Sequence, residues 1–168
     1  MKHLVTYPLI YPLVSLMLFA PFTLHAEDAP LISVKRMTLE TATKIAQGAI
    51  ATCRKEGVQI GVTVLNRDGH AQVVMRDVLA PDVTLEISRN KAYTALAFVS
   101  ETSRLSSRAT SPLAYVDGLA FFAGGVPIQA GGQLVGAVGV SGAPSGKTDE
   151  KCAAAGVKAV QDDLDLAE

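Results

Sequence analysis

The stretch "AGGVPIQAGGQLVGAVGVSGA", Ala123 to Ala143, constrains the fold more than any other part of the chain. It carries no charge and holds seven of the fourteen glycines. Val, Ile and Leu are interleaved with those glycines, a composition that forms strands and not a flexible linker. Glycine adds little to strand packing, so glycines spaced along a strand imply that something lies against its backbone. On "QLVGAVGVSG", alternation puts Val135, Ala137, Gly139 and Ser141 on one face and Leu134, Gly136, Val138 and Val140 on the other. The face of Ala, Gly and Ser admits a closely packed helix or a shallow ligand pocket. Gly124 and Gly125 offer bare backbone N–H groups, which suit a carboxylate.

The chain opens on a different pattern. Lys2 and His3 precede an uncharged run from Leu4 to Phe22, and "TLHA" then ends at Ala26 before Glu27 and Asp28. This is the layout of a secretory signal peptide, residues 1–26, with an uncleaved membrane anchor as the rival reading. Pro8, Pro12, Pro21 and the polar residues that follow favour cleavage. The expectation is a periplasmic or secreted single domain, residues 27–168, with no stable membrane insertion after cleavage. Cleavage removes His3 and His25 and leaves His70 as the one imidazole. Most multi-histidine metal sites and any Ser-His pair not built on His70 are thereby excluded. A formal net charge of −1, with no basic block, argues against nucleic acid as a partner.

Periodicity supplies the elements. Thr38 is a predicted cap for a helix carrying Ala42, Ile45, Ala46, Ala49, Ile50 and Cys53, ended by Gly57. "VQIGVTVLN" and "HAQVVMR" form a predicted hairpin about "RDG". Asp82 is placed to cap a helix over about 83–101, and "TSRLSSRATSP" reads as a short helix or ordered loop. "GLAFFAGGVPI" and "GQLVGAVGVSG" give two or three more strands. A last helix, capped by Thr148, carries Ala153, Val157, Val160 and Leu164 as its stripe. Adjacent strands argue for an α+β fold, an antiparallel sheet of about five strands flanked by helices. "SGAPSGKT" resembles a phosphate-binding loop, but Ser141 stands where that loop needs glycine.

Few side chains on offer carry chemistry. Lys91 either reaches solvent along its stem or lines a cleft. His70, beside the turn, is a surface residue, an axial ligand or a general base. Met75 belongs to the core, while Arg76 and Asp77 hold an anion or pair with each other. So short a supply of titratable groups favours binding over catalysis.

The segments "GVTVLNRDGHAQVVMRD", "SRNKAYTALAF", "GGVPI", "GQLVGAVGVSGA" and the acidic start plus "AAAG" of the last helix, taken in order, resemble the GlcG/HbpS-like family of haem-degrading proteins. The resemblance implies a three-layer, profilin-like arrangement, a symmetric homo-oligomer, and haem or a related tetrapyrrole as ligand. By position it points to His70, Lys91, Thr102, Gly124 and Gly125. "RDVLAPD" departs from the family's Asp-Gly-Ala loop, so the pocket rim differs. Three functions follow: an exported tetrapyrrole-binding module, an enzyme acting on haem or a small organic acid, or a structural or sensory oligomer. For haem, His70 is the expected iron ligand, with Met75, Tyr93 and Tyr115 as weaker donors and Thr94 and Thr102 next in line. Lys91, Arg76 and the Gly124–Gly125 backbone are the expected propionate partners. In the family arrangement the helices of Cys53 and Cys152 pack on one face, and the two thiols either bridge or stay free.

Overall fold

Helix α1, Leu39–Lys55, forms where expected, with the Thr38 hydroxyl accepting from the Thr41 amide at 3.2 Å. Its buried stripe is Ala42, Ile45, Ala46, Ala49 and Cys53. The computed structural model describes residues 30–167; the expected signal peptide lies outside them. One compact unit runs from Val34 onward, and residues 30–33 belong to a separate N-terminal unit.

Strands β1 (Gly61–Asn66) and β2 (Ala71–Arg76) form the hairpin. Its turn is set by Asn66, whose Oδ1 accepts from the amides of Asp68 at 3.0 Å and His70 at 2.9 Å. Helix α2 (Val83–Phe98) follows, then two 3-10 segments (Thr102–Thr110 and Pro112–Tyr115), β3 (Gly125–Ala130), β4 (Gln133–Ser141), α3 (Gly146–Lys158) and α4 (Gln161–Asp165). The sheet order is β2-β1-β4-β3, antiparallel throughout. On one face α1, α3 and α4 bury Ile45, Cys53, Val157 and Leu164 against Val62, Val64, Ile128, Val138 and Val140. On the other, Ala95 and Leu96 of α2 meet Ala137. These are the three layers expected.

Several local expectations need correction. The sheet has four strands, not about five. The Ala120 amide donates to the Thr94 hydroxyl at 2.7 Å and Phe121 packs edge-on against Phe98, so "GLAFF" is held to α2 instead of pairing in the sheet. Asp82 makes no side-chain cap bond. Ser145, not Thr148, caps α3, its hydroxyl accepting from the Thr148 amide at 3.2 Å. Alternation along β4 fails at its start, because Val135 is an extra residue between Leu134, opposite Gln129, and Gly136, opposite Ile128. Leu134 therefore sits with α2, and Val135 joins the core on the other face.

The glycines of β3 and β4 let α2 lie directly on the sheet. A methyl at Gly139 would overlap the Ser88 carbonyl and the Ala92 amide, and one at Gly125 would overlap the Lys91 carbonyl. The obstacles are backbone and cannot turn aside. We expect Gly139→Ala to cost at least about 1–3 kcal/mol by forcing α2 off the sheet, measurable as a lower urea midpoint. An unchanged midpoint would contradict this close approach.

Cys53 and Cys152 are bridged, joining α1 to α3 inside the core. Among the described residues, no helix is long and apolar enough to cross a membrane.

Candidate functional site

The residues singled out in the sequence fall into two separate groups. Register places Gly125 opposite Gly139, and Gly139 opposite Thr63. His70 instead follows the turn beyond Asn66 at the other end of β1. Arg76 pairs with Gly61 and sits roughly 20 Å along β2 from His70, by strand rise.

The first group surrounds the hairpin turn. Asp68, Gly69, His70, Arg89, Tyr93, Asp117 and Gly118 line an open cleft of about 350 Å³. Gly69 has φ +84, and a Cβ there would stand 3.3 Å from the Tyr93 ring. The turn therefore lies on the tyrosine. Arg89 and Tyr93 share this cleft because they stand four apart on α2. His70 and Arg89 are exposed, and Tyr93 is 38% exposed. Asp68 is ion-paired with Arg36. The cleft thus combines an accessible imidazole, a phenol beside it, and a guanidinium at the rim.

The second group is buried. Lys91, 2% exposed, donates from Nζ to Asp149 Oδ2 at 2.8 Å and to the Val140 carbonyl at 3.0 Å. Its ammonium also lies 5.1 Å from the centre of the Phe122 ring. The Ala143 amide donates to Asp149 Oδ1 at 2.9 Å. Burial holds the Asp149 carboxyl above the usual aspartate range, against the opposing pull of Lys91 and the Ala143 amide. Gly124 makes room for this pair, since a Cβ there would stand 2.6 Å from Lys91 Nζ. Solvent exposure for Lys91 is thereby overturned. Its charge is spent inside the protein and does not reach the His70 cleft.

The bare N–H groups are also taken. The Gly124 amide donates to Glu150 Oε2 at 3.2 Å and the Gly125 amide to the Thr102 hydroxyl at 2.9 Å. A carboxylate does sit there, as the sequence suggests, but it is the chain's own. Thr94 is buried, its hydroxyl donating to the Asn90 carbonyl and accepting from Ala120. Arg76 donates to the Ala80 carbonyl. Asp77 does not pair with it: Arg54 binds Asp77 through Nε at 2.7 Å and Nη2 at 2.8 Å. Those hydrogen bonds hold the Asp77 carboxyl below the usual range. Met75 packs on the core as expected, and Tyr115 is 90% exposed and lines no described cleft with His70.

Sequence reasoning missed Arg89, Asp117, Asp149, Glu150 and Arg54 as partners. Arg89 was findable, because it lies four residues before Tyr93. Asp149 and Glu150 registered only as acidic residues in a first helical turn, and nothing local revealed that they face Lys91 and Gly124.

Fold and site together define a three-layer α+β domain with, among the described residues, one accessible imidazole on an open cleft. The family model described as "Haem degrading protein HbpS-like" matches residues 37–158, and the chain belongs to this family. The crystal structure of HbpS is 37% identical with a TM-score of 0.73, covering 79% of this chain and 96% of that one. An uncharacterised 15.0 kDa protein from the dhaT-dhaS intergenic region of Citrobacter freundii is 32% identical over 117 residues, 65% of this chain and 82% of its own length. The PduOC:heme complex shares the fold at 23% identity and a TM-score of 0.69, covering 74% of this chain and 95% of that one.

Haem needs an axial donor and positive charge or N–H groups for its propionates. His70 meets the first need and Arg89 the second. A cleft of about 350 Å³ is at the small end for ligand sites, so a macrocycle would rest partly on the surface around it. Among the described residues, no cluster of three or more His, Cys, Asp or Glu side chains is arranged to hold a bare metal ion. The donor set fits a metal already carried in a macrocycle.

Proposed function

We propose that this protein binds haem or a closely related tetrapyrrole in the His70 cleft, as a capture, storage or sensing module. The observation that carries the reading is the exposed His70 imidazole on the rim shared with Tyr93 and Arg89. Membership of a family described as haem-degrading supports the ligand class. His70 would hold the iron through a neutral ring nitrogen, and Arg89 would pair with a propionate. Bound haem would supply a redox-active iron. The chain's part is to position it, with Tyr93 walling one side of the site.

The setting we infer is the periplasm or the exterior, reached by cleavage after Ala26, with the protein assembled as a homo-oligomer. The Cys53–Cys152 bridge supports an oxidising compartment. Light scattering should give a multiple of the monomer mass, and N-terminal sequencing should begin near Glu27; a clean monomer or an intact Met1 would contradict these points.

Haem titrated into the purified protein should produce a Soret band that His70→Ala shifts or abolishes. Arg89→Ala should weaken affinity and leave the band position unchanged. An identical band in His70→Ala would move the iron ligand elsewhere, and no band in the wild type would reject the tetrapyrrole reading.

A further inference from the structure

The two edges of the sheet differ in what is left open. On β3, the Gly125 amide donates to the Thr102 hydroxyl at 2.9 Å, Pro127 has no N–H, and the Gln129 carbonyl accepts from Gln161 Nε2 at 3.1 Å. That edge is closed. On β2, the Asp77 amide donates to the Ile60 carbonyl at 2.9 Å, so by alternation Met75 and Val73 face β1 while Arg76 and Val74 turn their main chain outward. Among the described residues, no other strand pairs with that side of β2.

β2 also lacks the devices that keep an edge solitary. "AQVVMR" holds neither proline nor lysine, and its one charged side chain, Arg76, is turned back to the Ala80 carbonyl. Val74 is 51% exposed, and Val78 and Leu79, just past the strand, are each 77% exposed. The strand is complementary to itself. About a two-fold axis at Val74, that residue meets its own copy and Arg76 meets the uncharged Gln72 of the other chain, so no like charges stand opposite each other. The two sheets then run on as one, with α2 of each copy on the same side.

The same register reaches the His70 cleft. His70 stands four residues before Val74 and Val78 four after it, so antiparallel pairing brings Val78 and Leu79 of one copy toward His70 and Gly69 of the other. The cleft, of about 350 Å³, is open, and its lining is polar apart from Tyr93 and two glycines. What it lacks for a macrocycle is an apolar wall, and Val78 and Leu79 are uncovered apolar side chains.

We propose that β2 pairs with β2 of a second copy about Val74, and that Val78 and Leu79 of that copy wall the His70 cleft. The pairing stands on the edge itself; the wall rests on the tetrapyrrole reading.

Val74→Cys tests the pairing with no ligand present. Directly opposed Cα atoms of a hydrogen-bonded antiparallel pair lie about 5.5 Å apart, within disulfide reach. The oxidised variant should run at twice the monomer mass on a non-reducing gel, and Leu39→Cys, at an exposed position on α1, should not. Val74→Lys, which sets two ammonium groups against each other, should halve the mass that light scattering gives for the wild type. Monomer bands from Val74→Cys, or equal cross-linking by Leu39→Cys, would overturn the pairing. Leu79→Ser should weaken haem affinity about tenfold and leave the Soret band in place, the effect of uncovering one leucine side chain. Unchanged affinity in Leu79→Ser would overturn the wall alone. A wild type with no Soret band would overturn the wall together with the tetrapyrrole reading, and the cross-link would still decide the pairing.

Discussion

Replacing Lys91 with methionine is expected to destabilise the fold by about 3–5 kcal/mol, the cost of leaving one partner of a buried ion pair alone. Methionine keeps most of the stem volume, so packing is not the main loss. What remains is the Asp149 carboxylate, buried with only the Ala143 amide and without its ammonium. The pH dependence follows from the direction of the Asp149 shift. Its folded pKa is already raised above 3.8 by burial, and removing Lys91 takes away an opposing influence, so the pKa rises further. A carboxyl with a raised folded pKa contributes stability below its unfolded pKa and loses it as pH rises through the folded value. The Lys91→Met deficit should therefore be smallest in acid and grow toward neutral pH. Lys91→Met/Asp149→Asn should lose less than the single variant at pH 7, measured by urea unfolding. A Lys91→Met variant as stable as the wild type at pH 7 would contradict the buried pair.

Loss of the Cys53–Cys152 bridge is expected to cost about 4–5 kcal/mol, because the two residues are 99 apart and the freed loop is long. Both sulfurs lie in the core where α1 crosses α3. That crossing is close, since a Cβ at Gly48 would stand 3.1 Å from the Gly156 Cα. The reduced protein should keep its helix packing but unfold at a lower urea concentration, as should Cys53→Ser/Cys152→Ser. Two titratable thiols in the unreduced, denatured protein would contradict the bridge.

Much of the architecture is legible in the residues, and the reason is local. The α1 stripe, the Asn66–His70 turn and the interleaved glycines each carry their own structural instruction within a few positions. Gly139 even announces the close approach of another element, though not that the element is α2, whereas Gly125 reads as a ligand contact and instead lies against the Lys91 carbonyl. What cannot be read is pairing across long separations. Lys91 reads as reaching solvent or lining a cleft, and neither shows its partner, because its neighbours on α2 say nothing of Asp149, 58 residues on. Arg76 and Asp77 read as an anion site or as partners because they are adjacent, whereas Arg54 reaches Asp77 from α1. The bulge at Val135 is equally silent, since "QLVGAV" alternates plausibly in either register.

The candidate site shows the same division. The type of group found at Gly124, a carboxylate, follows from a bare N–H donor, but its source does not, and the Gly125 amide goes to a hydroxyl instead. His70, Lys91, Thr102 and the glycines read as one site when ordered along a family pattern. In three dimensions they separate, and the exposed His70 cleft is the part to which we assign the proposed tetrapyrrole.

Amide NMR of the purified protein titrated with zinc protoporphyrin, a diamagnetic tetrapyrrole that accepts one axial ligand, tests this placement most directly. Shifts are expected at Gly69, His70, Arg89, Tyr93 and Gly118, with Ser103 and Gly124 unmoved. Shifts confined to Thr102, Ser103, Gly124 and Gly125 would contradict it.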